Sequence, residues 1–121
     1  MFDDLDADAV AAAQHQIATD ALAAARAVAS GWLADGPGVG LSPDEITRIL
    51  VRRDVANPQY HRLSPFERRW AVLVIRLIRA AMDPTPAVAD AHHRGASWAD
   101  IGSALGVARA TAYKRFSGKV T

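Results

Sequence analysis

The sequence predicts an all-α fold of about six helices. Alanine, the best helix former, is frequent in the first third of the chain, and apolar residues elsewhere recur at spacings of three and four. Proline and glycine stand mainly at the ends of these stretches. With 121 residues, half of them apolar, the chain suffices for one domain, or for one domain with a separate helical arm.

The first predicted helix spans Asp3 to about Leu33, with no proline and no glycine before Gly31. It is long and weakly hydrophobic, so we expect it to need a packing partner, either the rest of the chain or a second copy. Residues 1–35 are therefore interpreted as an acidic, alanine-rich packing or dimerisation region, and residues 35–40 as the best linker candidate. Its apolar face carries Leu22, Ala25, Ala29 and Trp32, adjoined by Val10, Ile17, Ala21 and Val28.

Two further helices form a predicted central hairpin, residues 41–82. Each begins with Leu-Ser-Pro followed two residues later by Glu, which predicts a capping box in duplicate, with Ser as N-cap and Pro at the first helical position. The first helix runs from Pro43 to about Val55. The second, from Pro65 to Met82, is apolar on nearly every face and is expected to be a buried central strut, too short to span a membrane. The loop between them carries Tyr60, His61 and Arg62.

The charge is strongly segregated along the chain. Up to Ile46 there are eight acidic residues and one arginine, a net charge of −7. From Thr47 onward there are thirteen basic and five acidic residues, a net charge of +8, and after Gly106 four basic residues stand without an acidic one. Such segregation is typical of a nucleic-acid-binding half joined to a half that does not bind nucleic acid.

The C-terminal region, residues 84–121, contains the most informative pattern, ASWADIGSALGVARATAYKRF. Ser97 and Asp100 predict a capping box, and Gly106 is placed for a left-handed C-cap. A second helix follows, preceded by a short supporting helix from Ala87 to Arg94. The layout predicts a three-helix arrangement with a helix-turn-helix. Residues expected to face inward are Trp98, Ile101, Leu105, Val107, Ala112 and Phe116, with Gly102, Ser103 and Ala104 allowing close helix approach.

The run LGVARATAYKRF resembles the second helix of the helix-turn-helix domains found in serine recombinases, the DNA invertases and resolvases. The chain is also similar to small regulators of actinobacteria and their phages, in which the sequence Gly-Ala-Ser-Trp-x-x-Ile-Gly commonly begins the helix-turn-helix; here it is residues 95–102. The resemblance covers about thirty residues, from roughly Val88 to Phe116. It implies DNA binding, most simply by a transcriptional regulator, but no recombinase activity, since the chain has no room for that catalytic domain. Ala108 stands where the family usually has Ser, so the second helix lacks an N-cap oxygen.

Residues 108–116 are therefore predicted to enter the major groove of double-stranded DNA. Arg109 and Thr111, near the helix start, are the predicted base contacts, and Arg109 would suit guanine through its bidentate fork. The predicted phosphate contacts are Ser97, Tyr113, Lys114, Arg115 and Lys119. We expect a homodimer on two half-sites about one DNA turn apart, because one short helix provides little affinity.

Other chemistry has little support in the sequence. We expect no enzyme, no cofactor and no catalytic residue, since no carboxylate pair, nucleophile elbow or phosphate-binding loop occurs. Adjacent histidines diverge by about 100° on a helix, so we expect no metal site at His92 and His93, which should be exposed or near DNA phosphate. The absence of cysteine and the acidic start MFDDLDAD favour a cytoplasmic protein that is neither exported nor bound to a membrane.

A second interpretation remains open. The acidic N-terminal half could be the functional part of a protein-interaction adaptor, antitoxin-like or sigma-factor-binding, with the C-terminal motif as scaffold only. Arg69, Arg76 and Arg79 are similarly open, as a solvated helix face or as a further phosphate-contacting surface. Trp32 and Trp70 are expected in the core or in a subunit interface.

Overall fold

A computed structural model describes residues 2–120 and confirms the all-α prediction. Contacts divide the chain into two compact units, residues 1–81 and residues 82–121. The helices are α1 (Ala7–Ala34), α2 (Pro43–Arg52), α3 (Pro58–Leu63), α4 (Glu67–Ala81), α5 (Thr85–His93), α6 (Trp98–Leu105) and α7 (Arg109–Phe116), with short 3₁₀ turns at Ser64–Phe66 and Ser117–Lys119. In the described part of the chain, no helix has both the length and the apolar character that crossing a membrane requires.

The first unit is built on α1, whose C-terminal half packs against α2 and α4. Its helix begins four residues later than the alanine pattern predicted, because the side chain of Asp6 accepts a hydrogen bond from the Ala9 N–H and caps it. Along α1 only the last part reaches the core; residues 10–20 are exposed at every position. The core of this unit consists of Ala25, Ala29, Leu33, Ile46, Leu50, Tyr60, Leu63, Trp70 and Val74.

A buried polar contact lies inside this core. The indole N–H of Trp70 donates to Ser30 Oγ at 3.1 Å, and Ser30 Oγ lies 2.6 Å from Thr47 Oγ1. Ser30 is fully buried, and Trp70 is 7% exposed. The Ser30 hydroxyl therefore accepts a hydrogen bond from an indole N–H that would otherwise be buried without a partner. Through these contacts it connects α1, α2 and α4.

The first of the two predicted capping boxes is present and the second is not. Ser42 accepts from the Glu45 N–H, and Glu45 accepts from the Ser42 N–H. The prediction at Ser64 was wrong because Ser64 has helical rather than extended backbone angles, and its hydroxyl donates back to the His61 carbonyl. Helix α3, which begins at Pro58, continues directly into Ser64. The backbone at Ser64 is therefore already helical and cannot adopt the extended conformation of an N-cap.

The loop predicted to carry Tyr60, His61 and Arg62 is thus the short helix α3, which Asn57 caps by accepting from the Gln59 N–H. Tyr60 is buried, and its hydroxyl donates to Glu67 at 2.9 Å. Arg53 donates to both partners, at 3.2 Å to Tyr60 and 3.1 Å to Glu67. These bonds, with Tyr60 contributing most, raise the pKa of Arg53 above its ordinary value. The cluster explains why α2 ends early, at Arg52, with Arg53 in a left-handed conformation (φ 50°).

Residues 35–40, suggested by the sequence as a linker, form a packed turn. A Cβ on Gly38 would lie 2.6 Å from Ile46 Cδ1 and 3.0 Å from the Leu33 carbonyl oxygen, so only glycine fits. Arg62 donates to the carbonyl oxygens of Pro37, at 2.8 Å, and Val39. The role of Gly38 is therefore close packing, not flexibility.

Helix α4 is not the buried strut that its composition predicted. One face packs into the core through Trp70 and Val74, but Val72 and Ile75 on the opposite face are exposed. Trp32 is also not in the core: it lies at the surface beneath the Arg69 guanidinium, 5.2 Å from the ring centroid. The apolar composition of α4 therefore reflects two surfaces, and the described residues cover only the one that faces the core.

Candidate nucleic-acid interface

The second unit consists of α5, α6 and α7 packed around one small core. Val88, Ile101, Ala112 and Phe116 are buried there, so each helix contributes at least one side chain. Partly buried residues around this cluster are Ala91, Ala96, Trp98, Leu105, Val107 and Val120. The inward positions predicted from the spacing of α6 and α7 are confirmed. Of the small residues, only Gly102 is buried; Ser103 and Ala104 face solvent.

Helix α6 begins with the predicted capping box. Ser97 Oγ accepts from the Asp100 N–H, and the Asp100 carboxylate accepts from the Ser97 N–H, both at 3.0 Å. The bond from the Ser97 backbone lowers the pKa of Asp100, with a smaller effect from the side-chain bond. The carboxylate thus stays charged at the positive end of the helix dipole, which fixes where α6 starts.

The turn between α6 and α7 depends on two glycines. Gly106 has φ 72° and ends α6 with its N–H donating to the Gly102 and Ser103 carbonyls. Gly102 lies under the turn, where an added Cβ would be 2.9 Å from the Val107 carbonyl oxygen and 3.2 Å from Arg109 N. The chain therefore passes directly over α6, and Val107 packs against the core from the corner. This contact sets the position at which α7 begins.

Helix α7 presents an exposed face with a positive charge. Its N-cap, Ala108, makes no side-chain cap bond, as the sequence predicted. Ala112 and Phe116 anchor one side of the helix, and the residues predicted as DNA contacts are left outside: Arg109, Thr111, Tyr113, Lys114 and Arg115 are all exposed, as is Lys119 in the following 3₁₀ turn.

The angular order of these residues is informative. At about 100° per residue, Lys114 lies directly opposite the buried Ala112–Phe116 side, and Thr111 lies about 60° from Lys114 on the same outward face. Arg115 lies on one flank, with its guanidinium over the Phe116 ring at 5.2 Å. Arg109 points toward the same side as Ala112 and Phe116, but it lies in the first turn of the helix and is exposed. The structure thus brings together on one helix five of the seven residues predicted as DNA contacts.

Aromatic rings connect all three helices behind this face. His92 on α5 stacks on Trp98 at 4.8 Å, and the edge of Tyr113 on α7 meets Trp98 at 5.7 Å. Tyr113 is nevertheless 54% exposed, so its hydroxyl end is open while its ring is braced. The sequence predicted that both histidines are exposed or near DNA phosphate, and it missed the packing role of His92. His93 is exposed, but His92 is half-buried. His92 Nδ1 is buried and makes no hydrogen bond in the described part of the chain.

Two predicted contacts lie apart from α7. Ser97 is exposed, but its backbone N–H and hydroxyl oxygen are both engaged in the capping box, and the Asp100 carboxylate adds negative charge beside it. This helix start is therefore poorly suited to a phosphate, apart from the Ser97 hydroxyl proton. Lys119 is close enough to Asp83 to contribute to lowering the pKa of that carboxyl, although hydrogen bonds from Thr85 have the larger effect.

Comparisons with protein families, with curated proteins and with solved structures give no match to this chain. Within the described residues, no group of three or more His, Asp or Glu side chains is arranged to hold a metal ion.

Proposed function

We propose that this chain is a sequence-specific double-stranded DNA-binding protein, acting in transcription regulation, and that α7 enters the major groove. The observation that carries the proposal is the exposed face of α7. The exposed surface of this helix holds two arginines and a lysine and no acidic residue, with Lys114 opposite the anchored side and Arg109 at the exposed helix start. A protruding basic helix with that arrangement matches the width and the negative charge of the groove.

The packing of the second unit supports this use of α7. Recognition requires that a helix reach the groove in a fixed orientation. Three features constrain the orientation of α7: the close approach at Gly102, the left-handed conformation of Gly106 and the contact between the Trp98 and Tyr113 rings. An ordinary surface helix with scattered lysines would need none of these constraints.

The proposed roles follow the position of each side chain on the helix. Arg109 and Thr111 lie at the start of α7 and read base edges, Arg109 through a bidentate contact to guanine. Tyr113, Lys114, Arg115 and Lys119 contact phosphates and set the register. Ser97 adds at most its hydroxyl proton, because the capping box uses its other polar groups.

Because one eight-residue helix provides limited affinity, the proposal includes a homodimer bound to two half-sites. It places the protein in the cytoplasm, in keeping with a chain that contains no cysteine. No catalytic step and no cofactor belong to the proposal.

The test is a binding measurement with duplexes selected from a random pool and with unselected duplexes. Arg109→Ala should cost about 1–3 kcal/mol on the selected duplex and little on random DNA, because a base contact is lost. Lys114→Ala should weaken both duplexes alike and reduce the salt slope by about one. Since Lys114 lies on the same outward face as Thr111, a loss of preference in Lys114→Ala would reassign it to base contact.

A matched control is Arg48→Ala, which removes an exposed arginine from α2 in the other unit. It should leave the preference for selected DNA unchanged. If no duplex is selected and neither α7 variant changes the affinity, the C-terminal motif is scaffold, and the adaptor function of the acidic N-terminal half takes its place.

A further inference from the structure

The N-terminal half of helix α1 is almost entirely exposed. Residues 10–20 are exposed at every position, including Val10 and Ile17, whose exposed fractions are 49% and 56%. These two residues are seven apart, and with Ala21, Ala24 and Val28 they form an apolar stripe that faces about 90° away from the buried Ala25–Ala29 side. An alanine-rich helix of this length is marginal in water unless one of its faces is packed.

Helix α4 carries the opposite kind of surface. Val72 and Ile75, 50% and 65% exposed, lie at the centre of the face that points away from the core. Four exposed arginines surround them: Arg68, Arg69, Arg76 and Arg79. Trp32 borders the same face, where a groove of about 490 Å³ runs between it and the arginine side chains.

The arginines of this face have no acidic partner within the described part of the chain. Both ion pairs found there are made by other residues. The one acidic residue of α4, Glu67, is already bound to Arg53 and Tyr60. This face, with four positive charges around exposed apolar side chains, is therefore complementary to a negatively charged amphipathic partner.

We propose that this face binds the N-terminal half of α1 from a second copy of the chain. Residues 2–20, which comprise this half of α1 and the segment before it, contain five aspartates and no lysine or arginine, so the charges are complementary. The lengths also agree: residues 7–20 of α1 span about 21 Å, and the fifteen residues of α4 span about 22 Å. In a two-fold dimer the contact occurs twice, since each copy supplies one helix and one face.

The partner must be another molecule because of the continuity of α1. The helix is unbroken from Ala7 to Ala34 and contains no proline, and its C-terminal half already packs on α4. Its N-terminal half cannot turn back to reach the opposite face of that same α4. The proposal names an interface in the first unit and does not rest on DNA binding.

A reciprocal charge exchange tests this interface. One variant reverses the charge of α1 and of the segment that precedes it (Asp3→Lys, Asp4→Lys, Asp20→Lys), which leaves the capping residue Asp6 intact. The other reverses the α4 side (Arg68→Glu, Arg76→Glu, Arg79→Glu). All six positions are exposed, so the fold should persist, and circular dichroism verifies it. Sedimentation without DNA should show that the wild-type protein is a dimer. Self-association of each variant alone should be weaker by about tenfold or more, and an equimolar mixture of the two variants should again form dimers.

Restoration in the mixture is the decisive result, because in that heterodimer both copies of the contact are complementary again. Val72→Asn should also reduce self-association, whereas Val55→Asn, at a position 71% exposed outside both helices, should not. A wild-type protein that sediments as a monomer at micromolar concentration overturns the proposal. A mixture of the two variants that stays monomeric also overturns it. The same holds if the α4 variant keeps its dimeric mass but loses affinity for random duplex DNA, because the face would then be a phosphate-binding surface.

Discussion

The Gly102→Ala substitution tests whether the contact under the turn positions α7. The new Cβ would lie 2.9 Å from the Val107 carbonyl oxygen and 3.2 Å from both the Ala108 carbonyl carbon and Arg109 N. All three are backbone atoms, so the turn itself has to shift. Overpacking of this kind costs about 1–3 kcal/mol. Replacing glycine by alanine inside a helix returns about 1 kcal/mol, which leaves a net destabilisation of about 1 kcal/mol.

Amide hydrogen exchange of α6 and α7 in the full chain measures this loss directly, because it reports the second unit separately from the first. Affinity for a selected duplex should fall by more than stability alone explains, since α7 is displaced. Gly31→Ala is the matched control: its Cβ would meet nothing within 4 Å, so α1 should gain about 0.5–1 kcal/mol. Unchanged protection and unchanged DNA affinity in Gly102→Ala would refute the reasoning.

Three further predictions concern single polar groups. Ser30→Ala should destabilise the first unit by about 1–3 kcal/mol in urea unfolding, because the buried Trp70 N–H loses its acceptor; a loss near zero would mean that the bond contributes nothing. His92→Phe should raise the melting temperature of the second unit by removing a buried nitrogen without a hydrogen bond while keeping the aromatic stack; a lower value would contradict this. Because the pKa of Asp100 is lowered in the folded state, its stabilising effect is present above about pH 4 and is lost as the pH falls through the folded pKa. Asp100→Asn should therefore show weaker protection of α6 at neutral pH and a smaller further loss in acid, and an acid response equal to wild type would exclude this role for the pair with Ser97.

Local patterns in the sequence were sufficient for most of the second unit. The Ser97 capping box, the left-handed Gly106 and the inward positions of Ala112 and Phe116 depend on residues within a few positions of one another. Spacing alone therefore predicts them. The close approach at Gly102 was predicted as well, but spacing could not separate it from Ser103 and Ala104, which face solvent.

The errors arose where contacts distant in sequence compete with a local pattern. Ser64 belongs to a phrase that predicts an N-cap, but α3 continues into it and Glu67 is drawn to Arg53 and Tyr60 instead. The stack of His92 on Trp98 crosses a turn and leaves no periodic signal. The composition of α4 indicates burial on every side, and only the packed structure shows that half of this apolar surface faces outward.

The central claim, that the exposed face of α7 contacts duplex DNA, is tested most directly by amide chemical shifts of the labelled full chain during titration with a selected duplex. The account predicts that the largest changes fall on residues 109–115 and on the turn before them, and that residues 10–20 of α1 stay unchanged. Changes that concentrate on α1 or α4 and spare α7, or no changes at a duplex concentration that saturates binding, would contradict it.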